Sequence, residues 1–191
     1  SFFKKKHLGT FGDASFLSFN GNKTITTGSG GAVLVKSKKI AKDLKHISTQ
    51  AKIPSMIDSA HDKIGFNCRM TNLSAAVGCA QLENLKKILM AKRKNFSLYE
   101  DFFCGNSSIS ILKEPKNSKT NYWLVTARLN SLKEKNFILK SLKSKGYGLR
   151  SVWRPIHSLY DYKKFPRDNM SNSNLVFNTT VNLPSSSKIF F

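Results

Sequence analysis

Ser18-Phe19-Asn20-Gly21-Asn22-Lys23-Thr24-Ile25-Thr26-Thr27-Gly28-Ser29-Gly30-Gly31 places one lysine on a glycine-rich loop between two apolar stretches. Upstream, Ala14, Phe16 and Ser18 alternate with Ser15, Leu17 and Phe19, the two-sided pattern of a strand buried on both faces. Downstream, Gly31-Ala32-Val33-Leu34-Val35 is a second such run, rich in β-branched residues. Strand, loop and strand form one unit. An amine does covalent chemistry on a carbonyl when it is held rigidly and can give up its proton, and a loop flanked by strands offers that placement. With 32 Lys+Arg in the chain, a solvated surface charge is the competing explanation for any single lysine.

The 191 residues are 40% hydrophobic and 11% aromatic, enough to bury one large core or two small ones. No uninterrupted apolar run approaches the roughly 20 residues that span a bilayer. The start, Ser1-Phe2-Phe3-Lys4-Lys5-Lys6, does not have the charge order of a signal peptide. A cytoplasmic protein without a membrane partner is expected. Cys68, Cys79 and Cys104 are an odd number without paired spacing, which argues against a disulfide framework and a zinc site. The net charge of +21 points first toward nucleic acid or an anionic surface. The basic residues are mostly lysines, spread from Lys4 to Lys188, with no arginine stripe and no interleaved aromatics to stack bases. No nucleic-acid partner is therefore expected. Because the chain does not begin with Met and starts and ends within structured-looking sequence, it is expected to be a fragment.

Beyond the second strand, Ser37 opens a lysine-rich helix running to about residue 50, with Ile40, Leu44 and Ile47 on one face. Residues 51 to 64, around Pro54, predict a loop. Thr71 or Asn72 caps a helix whose apolar face is Leu73, Ala76, Val77 and Ala80, and a longer helix follows through Leu85, Ile88 and Leu89 to Tyr99 and Phe102. Pro115 and residues 116 to 119 mark a boundary, giving domains of 1–114 and 115–191. After it come a strand in Tyr122-Trp123-Leu124-Val125-Thr126-Ala127-Arg128-Leu129 and an amphipathic helix over residues 132 to 142 that ends near Gly146. Gly148-Leu149-Arg150-Ser151-Val152-Trp153 and Val181-Asn182-Leu183-Pro184 complete a small α+β lobe.

Gly65-Phe66-Asn67-Cys68-Arg69-Met70-Thr71-Asn72-Leu73-Ser74-Ala75-Ala76-Val77-Gly78, then Gln81-Leu82, Lys92-Arg93 and Tyr99, resembles the DegT/DnrJ/EryC1/StrS family of pyridoxal-phosphate-dependent sugar aminotransferases. So do Gly12-Asp13, the lysine loop with Thr26-Thr27-Gly28, Trp153-Arg154-Pro155-Ile156-His157 and Asn182-Leu183-Pro184-Ser185-Ser186. The resemblance implies an α/β chain of the PLP-dependent transferase fold type I. Residues 1–114 would be part of the large cofactor-binding domain with its long connecting helix, and 115–191 the small C-terminal α+β domain. It implies pyridoxal 5'-phosphate as cofactor, with Lys23 as the Schiff-base lysine that also moves the substrate proton. Ser18 would meet the cofactor phosphate, where a hydroxyl donates without adding bulk. Asn67 would reach the phosphate from the neighbouring subunit of a homodimer, and its competing role is to cap the following helix. Arg69 would bind substrate through its planar donor fork, facing a nucleotide-sugar diphosphate or the donor carboxylate. His157 would hydrogen-bond substrate from the small domain.

The family holds the cofactor's ring nitrogen with an aspartate that is expected upstream of Ser1, so the chain alone is expected to be inactive. The implied reaction moves an amino group from an amino acid, glutamate for preference, to a nucleotide-linked keto-deoxysugar in surface-polysaccharide biosynthesis. The Trp153-to-His157 and Leu183-to-Ser186 blocks resemble members acting on UDP-linked 4-keto-6-deoxy-N-acetylhexosamines. Lys23 argues against the family's dehydratases, which carry histidine there. The alternative is a non-enzymatic regulatory or nucleic-acid-binding basic protein that retains the fold.

Overall fold

The computed structural model describes residues 1–55 and 57–187. They fall into two compact units, Ser1–Lys86 with Asn117–Lys119, and Lys87–Lys116 with the chain from Thr120 onward. In the first unit, β1 (Phe2–Phe3) and β2 (Lys6–His7) pair antiparallel across a tight turn that holds Lys4 and Lys5 at positive φ. Next, β3 (Ala14–Ser18) and β4 (Gly31–Val35) pair antiparallel, with Ala14 opposite Val35 and Ser18 opposite Gly31. The sequence predicts burial on both faces of β3, and the structure corrects this. Ser15 and Leu17 are half-buried, whereas Phe16 is 84% exposed and faces Val33, itself 59% exposed. This sheet has two strands, and no described residue covers its second face.

Ser37 Oγ accepts from Ile40 N at 3.4 Å and starts α1 (Lys38–Ser48), whose lysines are exposed as its polar face requires. The segment predicted to be a loop contains a short hairpin, β5 (Lys52–Ile53) with β6 (Ala60–His61). Gln50 and Ala51, at φ of 70° and 51°, turn the chain into it. Gly65 lies against that turn so closely that a Cβ would sit 2.4 Å from the Gln50 carbonyl carbon. Then comes α2 (Asn72–Glu83), and its cap is Thr71, whose Oγ1 accepts from Ser74 N at 3.2 Å.

α3 (Leu85–Phe102) belongs to the second unit from Lys87 on. It is followed by β7 (Ile109–Ile111) and by β8 (Ser118–Lys119), which returns to the first unit and pairs with β1. The second unit continues with β9 (Val125–Leu129), α4 (Leu132–Ser144), β10 (Arg150–Ser151), α5 (Ser171–Thr179) and β11 (Thr180–Leu183). Its sheet runs β10-β11-β9-β7 with every pair antiparallel. Val125, Ala127 and Leu129 alternate inward along β9 and meet Val181, Leu183 and Phe96. Phe96 stacks on Tyr122 with ring centroids 4.2 Å apart.

The buried face of α3 is also polar. Lys92 Nζ donates to the carbonyls of Ser185 (2.8 Å) and Trp123 (3.3 Å), Asn95 Nδ2 to Ser186 O (2.6 Å), and Tyr99 OH to Pro184 O (2.9 Å). These donors satisfy the carbonyls of residues 184 to 186, which lie beyond the end of β11 and have no ladder partner there. Burial lowers the Lys92 pKa.

Arg93 Nη1 and Nη2 donate to the two Glu114 oxygens at 3.2 and 3.3 Å, and Thr120 N donates to Glu114 Oε2 at 2.6 Å. The Arg93 hydrogen bonds, helped by the Thr120 amide, hold the Glu114 carboxyl below the usual carboxylate range. A depressed carboxyl stabilises the fold above its unfolded pKa and loses that contribution as pH falls through the folded value. Arg93→Met is expected to lower the urea midpoint at pH 7 by an amount equivalent to about 1 kcal/mol, since the pair is partly exposed. Urea titrations of parent and variant are expected to converge as pH drops below the carboxylate range.

Candidate active site

The loop carrying Lys23 is closed by its own backbone. Phe19 N donates to Gly30 O at 2.9 Å, and the Phe19 carbonyl accepts from both Thr27 N and Thr26 Oγ1 at 3.0 Å. Gly28 N donates to Thr26 Oγ1 at 2.8 Å, and Thr27 Oγ1 to Ser29 O at 2.6 Å. At the other end, Lys23 N donates to Asn20 O at 3.0 Å, and Gly21 N to Asn20 Oδ1 at 2.7 Å. Lys23 is half-buried on this frame. Ser18, exposed at the end of β3, accepts from Asn20 N through Oγ at 3.5 Å, a contact that does not use its hydroxyl hydrogen.

Thr27 is the buried anchor of the loop, 7% exposed. A Cβ on Gly78 of α2 would lie 3.0 Å from Thr27 Cγ2, and one on Gly30 would lie 3.1 Å from Thr27 Oγ1 and 2.9 Å from Met70 Cε. The loop is thus seated on α2 and on the segment before it. Nothing local in the sequence marks Thr27 as an anchor, because a buried threonine on a polar loop gives no periodic signal.

Asn67 and Arg69 lie on that preceding segment, which runs antiparallel to the end of α1. Phe66 N donates to Ile47 O (2.7 Å), Cys68 N to Ser48 O (2.9 Å) and Gln50 N to Phe66 O (3.0 Å). Both side chains are exposed. The cap of α2 is Thr71, so the capping role open to Asn67 falls away. Arg69 lines a hollow of about 760 Å³ whose walls include Ser29 and Gly30 of the lysine loop, with Lys45, Met70 and Ser74. The same Arg69 and Lys45 line a second hollow of about 740 Å³ between α1 and the hairpin. The structure therefore brings the end of the lysine loop and Arg69 to one cavity, while Lys23, Ser18 and Asn67 line neither hollow. His157 belongs to the other unit, where its Nε2 lies 3.1 Å from Asn174 Oδ1 beside a groove lined by Pro155, Ile156, Met170 and Val176.

Near the second hollow, His46 Nε2 and Asp62 Oδ1 are 2.6 Å apart, tying α1 to the residue after β6. The His46 hydrogen bond lowers the Asp62 pKa. The spacing of the α1 lysines predicts an ordinary solvated face. Lys42, Lys45 and His46 do share one helix face by spacing, but the hairpin that converts that face into a cavity wall was not legible.

The sequence pattern described as the DegT/DnrJ/EryC1/StrS aminotransferase family matches residues 1–190. The GDP-perosamine synthase of Escherichia coli O157:H7 is 36% identical over 162 residues, 85% of this chain and 44% of that protein. The UDP-4-amino-4,6-dideoxy-N-acetyl-beta-L-altrosamine transaminase of Campylobacter jejuni (strain 81-176) is 26% identical over 186 residues, 95% of this chain and 50% of that protein. In structure, the Helicobacter pylori aminotransferase PseC, involved in the biosynthesis of pseudoaminic acid, superposes with a TM-score of 0.89 at 22% identity, covering 96% of this chain and 51% of that one. The chain spans about half the length of the curated relatives it matches.

The seating of the loop makes unequal demands on its glycines. Gly28, at φ 79°, has open space around a built Cβ, whereas Gly30, at φ 131°, meets Met70 and Thr27. Gly28→Ala is expected to destabilise the fold by about 1 kcal/mol from backbone conformation alone. Gly30→Ala is expected to lose about 1–3 kcal/mol more, because the contacts overpack. Thermal melts of the two variants check the order.

Proposed function

The chain belongs to the DegT/DnrJ/EryC1/StrS aminotransferase family, and from that membership we propose that it forms part of a pyridoxal-5'-phosphate-dependent enzyme that transfers an amino group from an amino acid to a nucleotide-linked keto-deoxysugar. The α/β fold it shares with sugar aminotransferases of known structure is consistent with this assignment. The observation that carries the proposal is Lys23, half-buried on a loop fixed at both ends by its own hydrogen bonds. Membership disfavours the alternative of a regulatory or nucleic-acid-binding protein.

The residues present suit the cofactor. Lys23 supplies an amine on a loop closed by its own hydrogen bonds, and Ser18 a hydroxyl five residues earlier at the strand end. Pyridoxal 5'-phosphate, when bound, supplies the electron sink for carbanion chemistry at the amino acid's α-carbon. Lys23 Nζ takes the proton from that carbon and returns it. Ser18 would donate to the cofactor's phosphate. Asn67, exposed on a segment pinned to α1, would reach the cofactor of a second copy of the chain, and a homodimer is the working assembly in this proposal. Arg69, on a cavity wall, would hold an anionic group of the substrate. His157, with one ring nitrogen beside Asn174, keeps the other for a substrate hydroxyl.

No helix among the described residues is long and apolar enough to cross a membrane, and we place the enzyme in the cytoplasm with nucleotide-sugar precursors. Relatives named for GDP- and UDP-linked sugars both match, and the C-terminal blocks are the ground for a UDP-linked substrate in this proposal.

The test uses the protein carrying this chain together with the remaining half of its relatives' length. With pyridoxal 5'-phosphate, the parent is expected to show a visible absorbance band that glutamate bleaches, and Lys23→Arg to show neither band nor bleaching. An unchanged band in Lys23→Arg would overturn the assignment of Lys23. Amination of TDP- or GDP-linked keto-sugars alone would remove the UDP preference.

A further inference from the structure

Asn20-Gly21 is the one Asn-Gly pair in the sequence, and Asn20 stands three residues before Lys23. Both residues of the pair are exposed, so water and hydroxide reach them. The Gly21 amide donates to the side-chain oxygen of Asn20 itself, at 2.7 Å. The backbone nitrogen that can displace the Asn20 amide group is therefore already held against that group's carbonyl, the placement from which an intramolecular reaction gains most. A Cβ on Gly21 would meet only Gly28 O, at 3.7 Å, and Gly21 is not among the glycines at positive φ. Neither packing nor backbone conformation demands a glycine there, and its missing side chain leaves the nitrogen unhindered. Asn106 is the contrast: its Oδ1 accepts from Ser108 N at 2.8 Å and Ile109 N at 3.0 Å, so amides beyond that of Ser107 occupy its carbonyl.

The geometry points to Asn20 as a site of self-modification, at which the chain converts its own asparagine to isoaspartate and so withdraws Lys23 from use. Hydroxide or water removes the Gly21 amide proton, the nitrogen attacks Asn20 Cγ, and the bond from Cγ to the side-chain nitrogen breaks to release ammonia. The cyclic imide that remains takes up one water. Opening at Cγ gives aspartate with the original backbone. Opening at the main-chain carbonyl gives isoaspartate, in which the chain runs through Cβ and Cγ and the former peptide carbonyl becomes a free carboxylate. Asparagine and water thus become an acid and ammonia, with no oxidant or reductant involved.

Asn20 also holds the turn that presents the lysine. Lys23 N donates to Asn20 O at 3.0 Å and closes that turn. Isoaspartate lengthens the backbone inside the turn by one carbon and takes the accepting carbonyl out of the peptide link, so the closure no longer spans the bonds it was built on. The hydrogen bonds from Thr27 N to Phe19 O and from Phe19 N to Gly30 O lie outside the altered link. Lys23 is thus loosened while the rest of the loop stays anchored. The loss of cofactor capture that follows rests on the aminotransferase reading above; the conversion and the loosening do not.

The test ages the protein carrying this chain together with the remaining half of its relatives' length, at neutral pH and one unit above it. Peptide mass analysis maps the products, with a protease that cuts at aspartate and not at isoaspartate. Conversion at Asn20 is expected to run about tenfold faster at the higher pH, because the deprotonated share of a very weak acid rises by that factor per unit. It is expected to be at least about tenfold faster than at Asn106, and than at Asn20 in Gly21→Ala, where a methyl group shields the nitrogen. Amide hydrogen exchange at Lys23 is expected to quicken at least about tenfold in converted chains. The visible band of the cofactor-loaded protein is expected to fall in proportion to the isoaspartate formed, and to persist in Gly21→Ala and in Asn20→Asp, which keeps the original backbone. Conversion at Asn20 no faster than at Asn106, or unchanged exchange at Lys23 in converted chains, overturns the proposal and leaves the aminotransferase reading standing. A band that survives full conversion to isoaspartate overturns the withdrawal of Lys23. Conversion with quickened exchange, in a protein that shows no band even when fresh, upholds the modification site and removes the aminotransferase reading.

Discussion

Thr27 is 7% exposed and fixed on three sides: its amide donates to Phe19 O, its hydroxyl to Ser29 O, and its methyl lies over Gly78 where a Cβ would come within 3.0 Å. The loop bearing Lys23 therefore cannot shift without opening a buried contact with α2. A lysine at the tip of a mobile loop spends its time in solvent. One on a loop closed from Phe19 to Gly30 and seated on a helix is held to a narrow region, which is what covalent capture of a carbonyl demands. The same seating brings Met70 against Gly30, so the segment holding Asn67 and Arg69 is ordered relative to the lysine loop.

The strand, loop and strand around Lys23 were legible because both strands are apolar runs bounded by glycine and polar residues, a pattern that local physics dictates. The same runs misled on burial: Phe16 and Val33 have the side chains of a covered face, yet that face is exposed here. The helix starts at Ser37 and Thr71 are legible because a capping hydroxyl is a one-residue signal, and in each case the side chain accepts from the amide three residues on. The hairpin of β5 and β6 leaves no mark in the sequence because its two-residue strands carry no alternation, and Gly65 and Ala51 meet it through nonlocal contacts.

Buried polar groups defeat hydropathy in the second unit too. Lys92 and Asn95 are polar side chains inside a helix, yet they donate to carbonyls of residues 185 and 186, nearly a hundred positions away in the chain. Such pairings leave no local trace in the sequence. The candidate site divides the same way. Ser18 and Lys23 share one hairpin and were found together. Arg69 acquires its surroundings only in the folded chain, where α1 and the hairpin place Lys45 and Lys52 around it. The high positive charge is likewise not uniform in effect: most lysines are solvated singly, and a few converge on one concavity.

The central claim is that one lysine among many is singled out by its loop. Borohydride reduction of the cofactor-loaded protein, followed by peptide mass analysis, measures this directly, because each lysine that has captured the cofactor carries its mass. The expected result is a single dominant tag on the peptide containing Lys23, at one cofactor per chain. Tags spread over the exposed lysines of α1 and α4, with no excess at Lys23, would contradict the account.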